Sequence, residues 1–279
     1  MKKAHFRALQ RVFLVFIFSF MYLPIAVMAV FSFNESKSRT LFTGFTLDWY
    51  KSLFSNEMIL NALWLSLVVA LVSAVAATVM GTLAAIGINA MGKGSQAVIN
   101  NISYMPVVNP EIITGVSLML LFVVAKNGIG WANAHLGWQL PENIFGLPTL
   151  LIAHISFCLP YVIFNVAPKL RQMDVRMYEA ALDLGCNPRQ AFFKVVLPEL
   201  TPAILSAFLI CLTYSIDDFI ISYFTCGTLQ TLPIAIYSMT RKKVSPEINA
   251  LSTIMFLVIL SIILISNYLD SRQKGAERR

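Results

Sequence analysis

Apolar runs separated by short polar segments divide the chain along its whole length. Six of these runs carry almost no charge, and they cover residues 12–33, 58–92, 101–125, 143–168, 200–224 and 248–269. A helix needs roughly 20 apolar residues to cross a bilayer, and backbone groups inside lipid must pair within their own segment. The pattern therefore predicts an all-α polytopic membrane protein with six transmembrane helices.

The composition points the same way. Hydrophobic residues make up 57% of the chain and charged residues 13%, with a mean hydropathy of +0.72. A soluble domain carries about 25% charged residues, so an ordinary soluble protein is excluded. The basic start and the apolar run at 12–33 resemble a signal peptide, but the run is long and no small-residue cleavage site follows it, so an uncleaved first helix is expected.

The predicted organisation has three parts. Residues 1–57 form the first helix and an external loop, residues 58–269 form a permease core of helices two to six, and residues 270–279 form a tail. With the N-terminus inside, 14 of the 21 Lys and Arg residues fall in inner segments and 7 in outer ones. This distribution predicts cytoplasmic termini, although the cluster Arg241-Lys242-Lys243 runs against it. Basic residues scattered along the inner loops do not indicate nucleic-acid binding.

Metal and disulfide chemistry have little support. The cysteines are Cys158, Cys186, Cys211 and Cys226, without C-x-x-C spacing, and the histidines are His5, His135 and His154. Buried, inert thiols are expected, and the histidines stand alone in the sequence. No metal site is predicted.

Three acidic residues interrupt the apolar runs: Glu111, Asp217 and Asp218. A charge near the centre of a spanning helix costs about 2.5–3.5 kcal/mol, so such residues usually mark a substrate or ion route. Tyr214 lies one helical turn before the aspartates, where its ring is suited to a cation. Adjacent aspartates on a helix point about 100° apart, so one of them is alternatively expected to bind a neighbouring subunit.

Glu111 has two interpretations. It follows Asn109-Pro110, which is typical of a helix start with a carboxylate near the positive end of the dipole. The same arrangement recurs at Ser245-Pro246-Glu247, which favours simple capping. Pro106 and Pro110, however, break the third span, and broken helices often line pathways.

The inner loop at 169–199 is predicted to form two short helices. The first covers Met173–Leu184 and ends at Gly185, and the second begins at Asn187-Pro188 and is closed by Leu197-Pro198. Amphipathic helices at the cytoplasmic face suggest a docking element for a partner protein. A plain linker is the alternative.

The same loop resembles the EAA motif of ABC importer permeases. Glu179-Ala180-Ala181 is followed at the family spacing by Gly185 and by Val195-x-Leu197-Pro198. In that family the loop is a coupling helix that sits in a groove of the ATPase subunit. The residues that the resemblance assigns to coupling are Glu179, Ala180, Ala181, Asp183, Gly185, Leu197 and Pro198.

The whole chain resembles the PotC-like permeases of bacterial spermidine/putrescine ABC transporters. The departure is Glu111, where the family more often has aspartate. The matching stretches are "FSFNESK" (31–37), "PEIITGVSLMLLF" (110–122), "HISFCLPYVIF" (154–164), "DVRMYEAALDLG" (174–185), "SIDDFIISYFTCG" (215–227) and "VSPEINALSTI" (244–254).

This resemblance implies the type I ABC importer permease fold in a bacterial inner membrane, with a substrate pathway that includes Asp217, Asp218, Tyr214 and Glu111. It also implies a homologous second permease (PotB-like), a cytoplasmic ATPase dimer (PotA-like) and an extracytoplasmic polyamine-binding protein (PotD-like). ATP and magnesium would bind the ATPase. "GINAMGKG" at 87–94 lacks the Ser or Thr and the preceding strand of a phosphate loop, so no cofactor is expected on this chain and no enzymatic activity of its own.

Two other functions are compatible with the residues. One is a permease of the same fold for another cationic or amine-bearing solute. The other is a proton-coupled secondary transporter that uses the aspartate pair as a relay, against which the EAA-like loop argues.

Overall fold

The computed structural model describes residues 2–37, 41–141, 143–242 and 246–276. Within these ranges the chain is helical apart from short connections and one antiparallel bridge between Asn34 and Phe45. The helices are α1 (Lys2–Phe31), α2 (Asp48–Ser55), α3 (Glu57–Asn89), α4 (Lys93–Val108), α5 (Glu111–Leu136), α6 (Leu147–Gln172), α7 (Val175–Asp183), α8 (Pro188–Ala191), α9 (Leu197–Asp217), α10 (Ile220–Thr225), α11 (Leu232–Lys242) and α12 (Pro246–Ala276), with a π-helical segment at Phe192–Val196 between α8 and α9.

Five helical stretches in these ranges are long and apolar enough to cross a membrane: Gln10–Phe31, Glu57–Asn89, Glu111–Leu136, Leu147–Gln172 and Pro188–Asp217. A shorter apolar stretch, Pro246–Ser261, begins α12. The predicted all-α polytopic fold is confirmed. Lys243 of the basic cluster and Ser245 of the second proposed cap lie outside the described residues.

The third span is displaced from its predicted bounds of 101–125. α4 ends at Val108, and Asn109 is extended at φ −67° and ψ 138°. Pro110 disfavours the helical conformation in the residue before it, which explains the break. The span then starts at Glu111 and runs to Leu136, so the apolar residues before the proline belong to a separate helix.

The fifth span is also not the single helix predicted over 200–224. α9 ends at Asp217, Asp218 adopts an extended conformation with φ −63° and ψ 117°, and α10 begins only at Ile220. The two aspartates therefore lie on either side of a helix end, and the angle of 100° expected between neighbours on one helix does not describe them.

Leu197-Pro198 does not close the second helix of the loop, which corrects another expectation. The backbone is helical from Pro188 through the π-helical segment at Phe192–Val196 and on to Asp217. Proline lacks the N–H that an interior helical turn would use. Pro198 directly follows the wider π-helical turn, where the hydrogen-bond pattern changes between the two pieces.

The chain forms two compact units, of which one comprises residues 1–60 and 236–279. In this unit α12 packs against α1 and α2, Tyr22 meets Phe256 with ring centroids 6.5 Å apart, and the Ser52 hydroxyl donates to the Glu247 carboxylate. The loop after α1 is fastened by the Trp49 indole, which donates to the Asn34 carbonyl at 2.7 Å.

The other unit comprises residues 61–235, and α6 is its central helix. α6 packs against α9 and α10, α5 packs against α10, and the buried core contains side chains from all of them. α3 approaches α6 closely at Gly81, where a Cβ would lie 2.6 Å from the Cβ of Val162. The predicted boundaries at 57 and 269 follow membrane position rather than packing, and they stay predictions.

Candidate functional site

A cavity of about 460 Å³ lies where α5, α6, α9 and α10 meet. It combines carboxylates with aromatic rings, and none of the described residues that line it is basic. The lining residues are Glu111, Phe157, Tyr161, Tyr214, Asp217, Asp218, Phe219 and Ile220. The four residues that the sequence singled out for a pathway, Glu111, Tyr214, Asp217 and Asp218, are therefore brought together.

Aromatic side chains form one wall of this cavity. The rings of Tyr161 and Tyr214 meet edge to face, with centroids 4.8 Å apart and planes at 77°. Phe157 packs edge to face on Tyr161 at 5.4 Å. Tyr214 remains 41% exposed. These contacts fix the rings on α6 and α9 while leaving aromatic surface toward the cavity, where a cation is attracted by the negative face of a ring.

Two of the three carboxylates are accessible. Asp217 is the last residue of α9 and Glu111 is the first residue of α5, and both residues are exposed. Glu111 thus lies at a helix start, as the capping interpretation expects, and also lines the cavity, as the pathway interpretation expects. The start of α5 therefore gives this carboxylate the positive end of a helix dipole as well as access to the cavity.

Asp218 is buried, with 7% of its surface exposed, and its carboxylate is occupied by the backbone. Oδ2 accepts from the Ser222 amide at 2.7 Å, and Oδ1 accepts from the Ile221 amide at 3.3 Å. The first amides of a helix have no partner within the helix, so a carboxylate before them satisfies them. Asp218 is in this way the cap of α10.

His154 is the residue that sequence reasoning missed. Its Nδ1 lies 2.6 Å from the Ser215 hydroxyl, its Nε2 lies 3.0 Å from the Ser222 hydroxyl, and Nε2 is 3.6 Å from Oδ2 of Asp218. This histidine stands alone in the sequence, but in the structure it has three polar neighbours. A histidine within a span is unusual enough to have been a signal, and serines flank the aspartates in a neighbouring span.

The described residues contain no group of three or more His, Cys, Asp or Glu side chains that could hold a metal ion. The four cysteines are free, and Cys158, Cys211 and Cys226 are buried. Cys158 and Cys211 face one another across α6 and α9, each thiol pointing at the other residue's backbone carbonyl, at 3.8 and 3.6 Å. They pack the helices together, as expected for inert thiols.

The first helix of the loop at 169–199 ends before Gly185, as its sequence predicts, and it begins at Val175 rather than at Met173. Asp174 caps α7 by accepting from the Arg176 amide at 3.0 Å. After α7, Gly185 has a φ of +89°, and the amides of Gly185 and Cys186 donate back to the carbonyls of Leu182 and Ala181. This is the two-bond helix ending that favours glycine.

The second half of the loop begins with a capping box. The Asn187 side chain accepts from the Gln190 amide at 2.9 Å, and the Gln190 side chain accepts from the Asn187 amide at 3.0 Å. Lys169 and Glu199 then pair at 2.5 Å and tie the end of α6 to the start of α9.

The EAA-like residues divide by exposure. Glu179, Ala180, Asp183, Gly185 and Pro198 are exposed, Ala181 is buried, and Leu197 is half-buried. Apolar side chains are exposed beside them, with Leu184 86% exposed and Met177 50% exposed. Leu184 is the C-terminal cap residue of α7, and its side chain is exposed whereas that of Ala181 is buried.

Apolar spans around an acidic, aromatic cavity define a membrane transport protein. The relatives specify which kind. Residues 77–275 match the family model described as "Binding-protein-dependent transport system inner membrane component". The chain is 37% identical to the putrescine transport system permease protein PotI of Escherichia coli (strain K12), over 91% of this chain and 88% of that one. It is 36% identical to the spermidine/putrescine transport system permease protein PotC of the same strain, over 96% of each chain.

Solved structures share the fold. A bacterial ABC transporter that imports the acidic polysaccharide alginate matches with a TM-score of 0.73 and 19% identity, over 97% of this chain and 96% of that one. The same transporter in complex with a periplasmic protein that carries an alginate pentasaccharide gives a TM-score of 0.74 at 18% identity, over 97% and 95% of the two chains. The chain belongs to the binding-protein-dependent transport system inner membrane component family, and it is a permease subunit of an ABC importer.

Proposed function

We propose that this permease carries polyamines, spermidine or putrescine, through the membrane. The observation that carries the proposal is a cavity lined both by the exposed residues Glu111 and Asp217 and by the tyrosines Tyr161 and Tyr214. The polyamine relatives support the same substrate class.

The chemistry of the cavity fits a flexible polycation. Protonated amines gain charge pairing from carboxylates and a further contribution of about 0.5–2 kcal/mol from an aromatic face. An anionic solute would meet uncompensated negative charge in a setting where charge is poorly screened. Glu111, Asp217 and Tyr214 are thus the residues that we assign to the pathway.

In the proposed cycle, ATP supplies the energy for transport at the cytoplasmic ATPase and not at the cavity. A loaded binding protein docks on the outer side, ATP closes the dimer of a cytoplasmic ATPase, and the loop at 169–199 passes that motion to the membrane helices. The exposed face of Glu179, Ala180, Asp183 and Gly185, with Leu184 beside it, supports docking of this loop on the ATPase. A second, homologous permease completes the pathway, and both termini are cytoplasmic.

The proposal is tested by uptake of radiolabelled spermidine and putrescine into proteoliposomes that contain the complete complex. We expect uptake that requires ATP and binding protein, and a KM raised about tenfold in D217N. D48N is the matched control, because Asp48 is an exposed acid outside the cavity. Uptake driven by a proton gradient with a hydrolysis-deficient ATPase would instead establish the secondary transporter, and transport of a different amine alone would establish the other permease.

A further inference from the structure

Asp217 and Asp218 are neighbours in sequence, but their surroundings are opposite. Asp217 ends α9 and is exposed at the cavity, whereas Asp218 is 7% exposed and accepts two amides at the start of α10. Sequence reasoning treats the two as alternatives for the same task. Their hydrogen bonds indicate two different tasks.

Four buried side chains surround the break between α9 and α10. We call His154, Ser215, Asp218 and Ser222 the polar clasp. Ser215 stands before the break and Ser222 after it, and His154 on α6 reaches both, at 2.6 and 3.0 Å. His154 and Ser222 are 1% and 0% exposed, so water does not compete for these bonds.

We infer that the polar clasp holds the broken span in the conformation that presents Asp217 to the cavity, so that Asp218 and His154 are positioning residues and not substrate ligands. This inference rests on the proposed function for its consequence in transport. Its structural part, the fastening of α10, does not depend on any substrate.

The geometry explains why each member of the clasp is needed. Without Asp218 the first amides of α10 lose their acceptor, and buried amides without partners are costly. Without His154 the two serines lose the one side chain that ties both pieces of the span to α6. Thr149 adds a bond at the other end, where its hydroxyl donates to the Thr225 carbonyl at 2.8 Å. α6 thus fixes α10 at its start and at its end.

When the polar clasp is disrupted, we expect the last residue of α9 to become mobile. That residue is Asp217, which lines the same cavity as Tyr161 and Tyr214. Disrupting the clasp is therefore expected to weaken substrate binding without removing any group that touches the substrate. Asparagine has one acceptor oxygen where aspartate has two, so D218N is expected to keep the shorter bond to the Ser222 amide and to lose the longer bond to the Ile221 amide.

The experiment compares D218N, D218A, H154A and H154Q with D217N in the complete transporter, in nanodiscs and in proteoliposomes. Hydrogen exchange measured by mass spectrometry follows the amides of residues 220–225, and uptake of labelled spermidine gives KM and the maximal rate. Glutamine in H154Q can still reach Ser222, and asparagine in D218N keeps one of the two acceptor oxygens, so both variants remain informative where an alanine variant fails to fold.

We expect D218A and H154A to speed exchange in α10 and raise KM, with H154Q showing a smaller change. D218N should speed α10 exchange less than D218A does and should raise KM less than D217N does, whereas D217N should leave exchange unchanged and raise KM roughly tenfold. A KM in D218N as high as in D217N, with α10 protected, would make Asp218 a ligand and overturn the inference. Unchanged α10 exchange in D218A or H154A would overturn it as well. If the wild-type complex takes up no polyamine, the proposed function fails, and the exchange measurements still decide whether the clasp exists.

Discussion

The ammonium of Lys169 lies 2.5 Å from Oε1 of Glu199, and this pair joins the last turn of α6 to the first turn of α9. The two residues flank the whole loop at 169–199, which leaves α6 and returns in α9. Their side chains are 34% and 39% exposed, so solvent screens the attraction. The pair closes the base of the loop and is a modest contribution to stability.

The double-mutant cycle of K169M and E199Q tests this contact. Partly exposed ion pairs contribute about 0–1 kcal/mol, so we expect each single variant to lower the thermal stability of the purified complex slightly. The double variant should lose less than the sum of the two, because neither group is left alone. The coupling energy between the two substitutions is measured by thermal unfolding in nanodiscs. A value of zero would show that the Lys169–Glu199 pair does not contribute to stability.

Gly81 tests the closest approach between α3 and α6. Its substitution by alanine places a Cβ 2.6 Å from the Cβ of Val162, which is too close for any pair of carbons. Overpacking of this kind costs about 1–3 kcal/mol, and we expect G81A to lower the melting temperature of the complex. G87A is the matched control, because Gly87 lies in the same helix with nothing within 4 Å of the added carbon. Equal melting temperatures for the two variants would contradict the packing described.

Gly185 tests the coupling loop. With φ at +89°, alanine is strained there by about 1 kcal/mol, and the ending of α7 should be displaced. We expect G185A to raise the amount of ATP hydrolysed per molecule imported, measured in the same proteoliposomes. E179Q, on the exposed face, should act in the same direction.

The control for Gly185 is G137A. Gly137 has a φ of +67° at the end of α5, with nothing within 4 Å, so alanine is strained to a similar degree at a place outside the loop. G137A is expected to keep the wild-type ratio of hydrolysis to import. The docking role would be refuted by two variants with the same ratio.

Tyr214 tests the aromatic wall. Replacement by leucine removes a face suited to a cation, and the loss of about 0.5–2 kcal/mol should raise the KM for uptake several-fold. Y214F keeps the ring and should stay near wild type. Y104L removes a tyrosine that packs edge to face on Phe164 at 5.0 Å but lies outside the cavity lining, so its KM should not change. A KM for Y214L equal to that of Y104L would exclude a contact between this ring and the substrate.

The sequence was sufficient for the membrane class, since six runs of bilayer-spanning length with almost no charge are what a polytopic membrane protein requires. It was also sufficient for the helix end at Gly185 and the new start at Asn187, because capping is local, but it did not identify the cap at Asp174 and it wrongly closed the second helix at Leu197-Pro198. The end at Gly185 and the start at Asn187 depend on hydrogen bonds between residues that are close together in the chain, so they can be predicted from the order of the residues.

Hydropathy did not place the breaks in the spans, and of the two prolines predicted to break the third span only Pro110 does so, because Pro106 lies inside α4. Pro110 shifted the third span to Glu111, although the apolar run continues on both sides of it. The break at Asp218 is stabilised by hydrogen bonds from backbone amides of α10 to the Asp218 carboxylate. These bonds can form only because α9 has ended before Asp218. Hydropathy measures the preference for lipid, and both broken and continuous helices satisfy it.

His154 was missed because its partners lie far away in the chain. Ser215 is 61 residues distant, and Ser222 is 68 residues distant. Nothing in the spacing of a single histidine predicts which neighbouring span it faces. Ser215 and Ser222 lie seven residues apart on either side of the aspartates. The sequence does not show that a histidine of another span contacts both of them.

The uninterrupted helical path from Pro188 to Asp217 has a mechanical consequence. Thirty residues at 1.5 Å each make a helix about 45 Å long, with one end in the EAA-like loop and the other at the acidic cavity. A tilt applied at the Pro188 end of this helix would move its Asp217 end at the cavity, with no relay of side chains between them. The π-helical turn at Phe192–Val196, near the loop end, is where this helix is most easily rotated about its own axis.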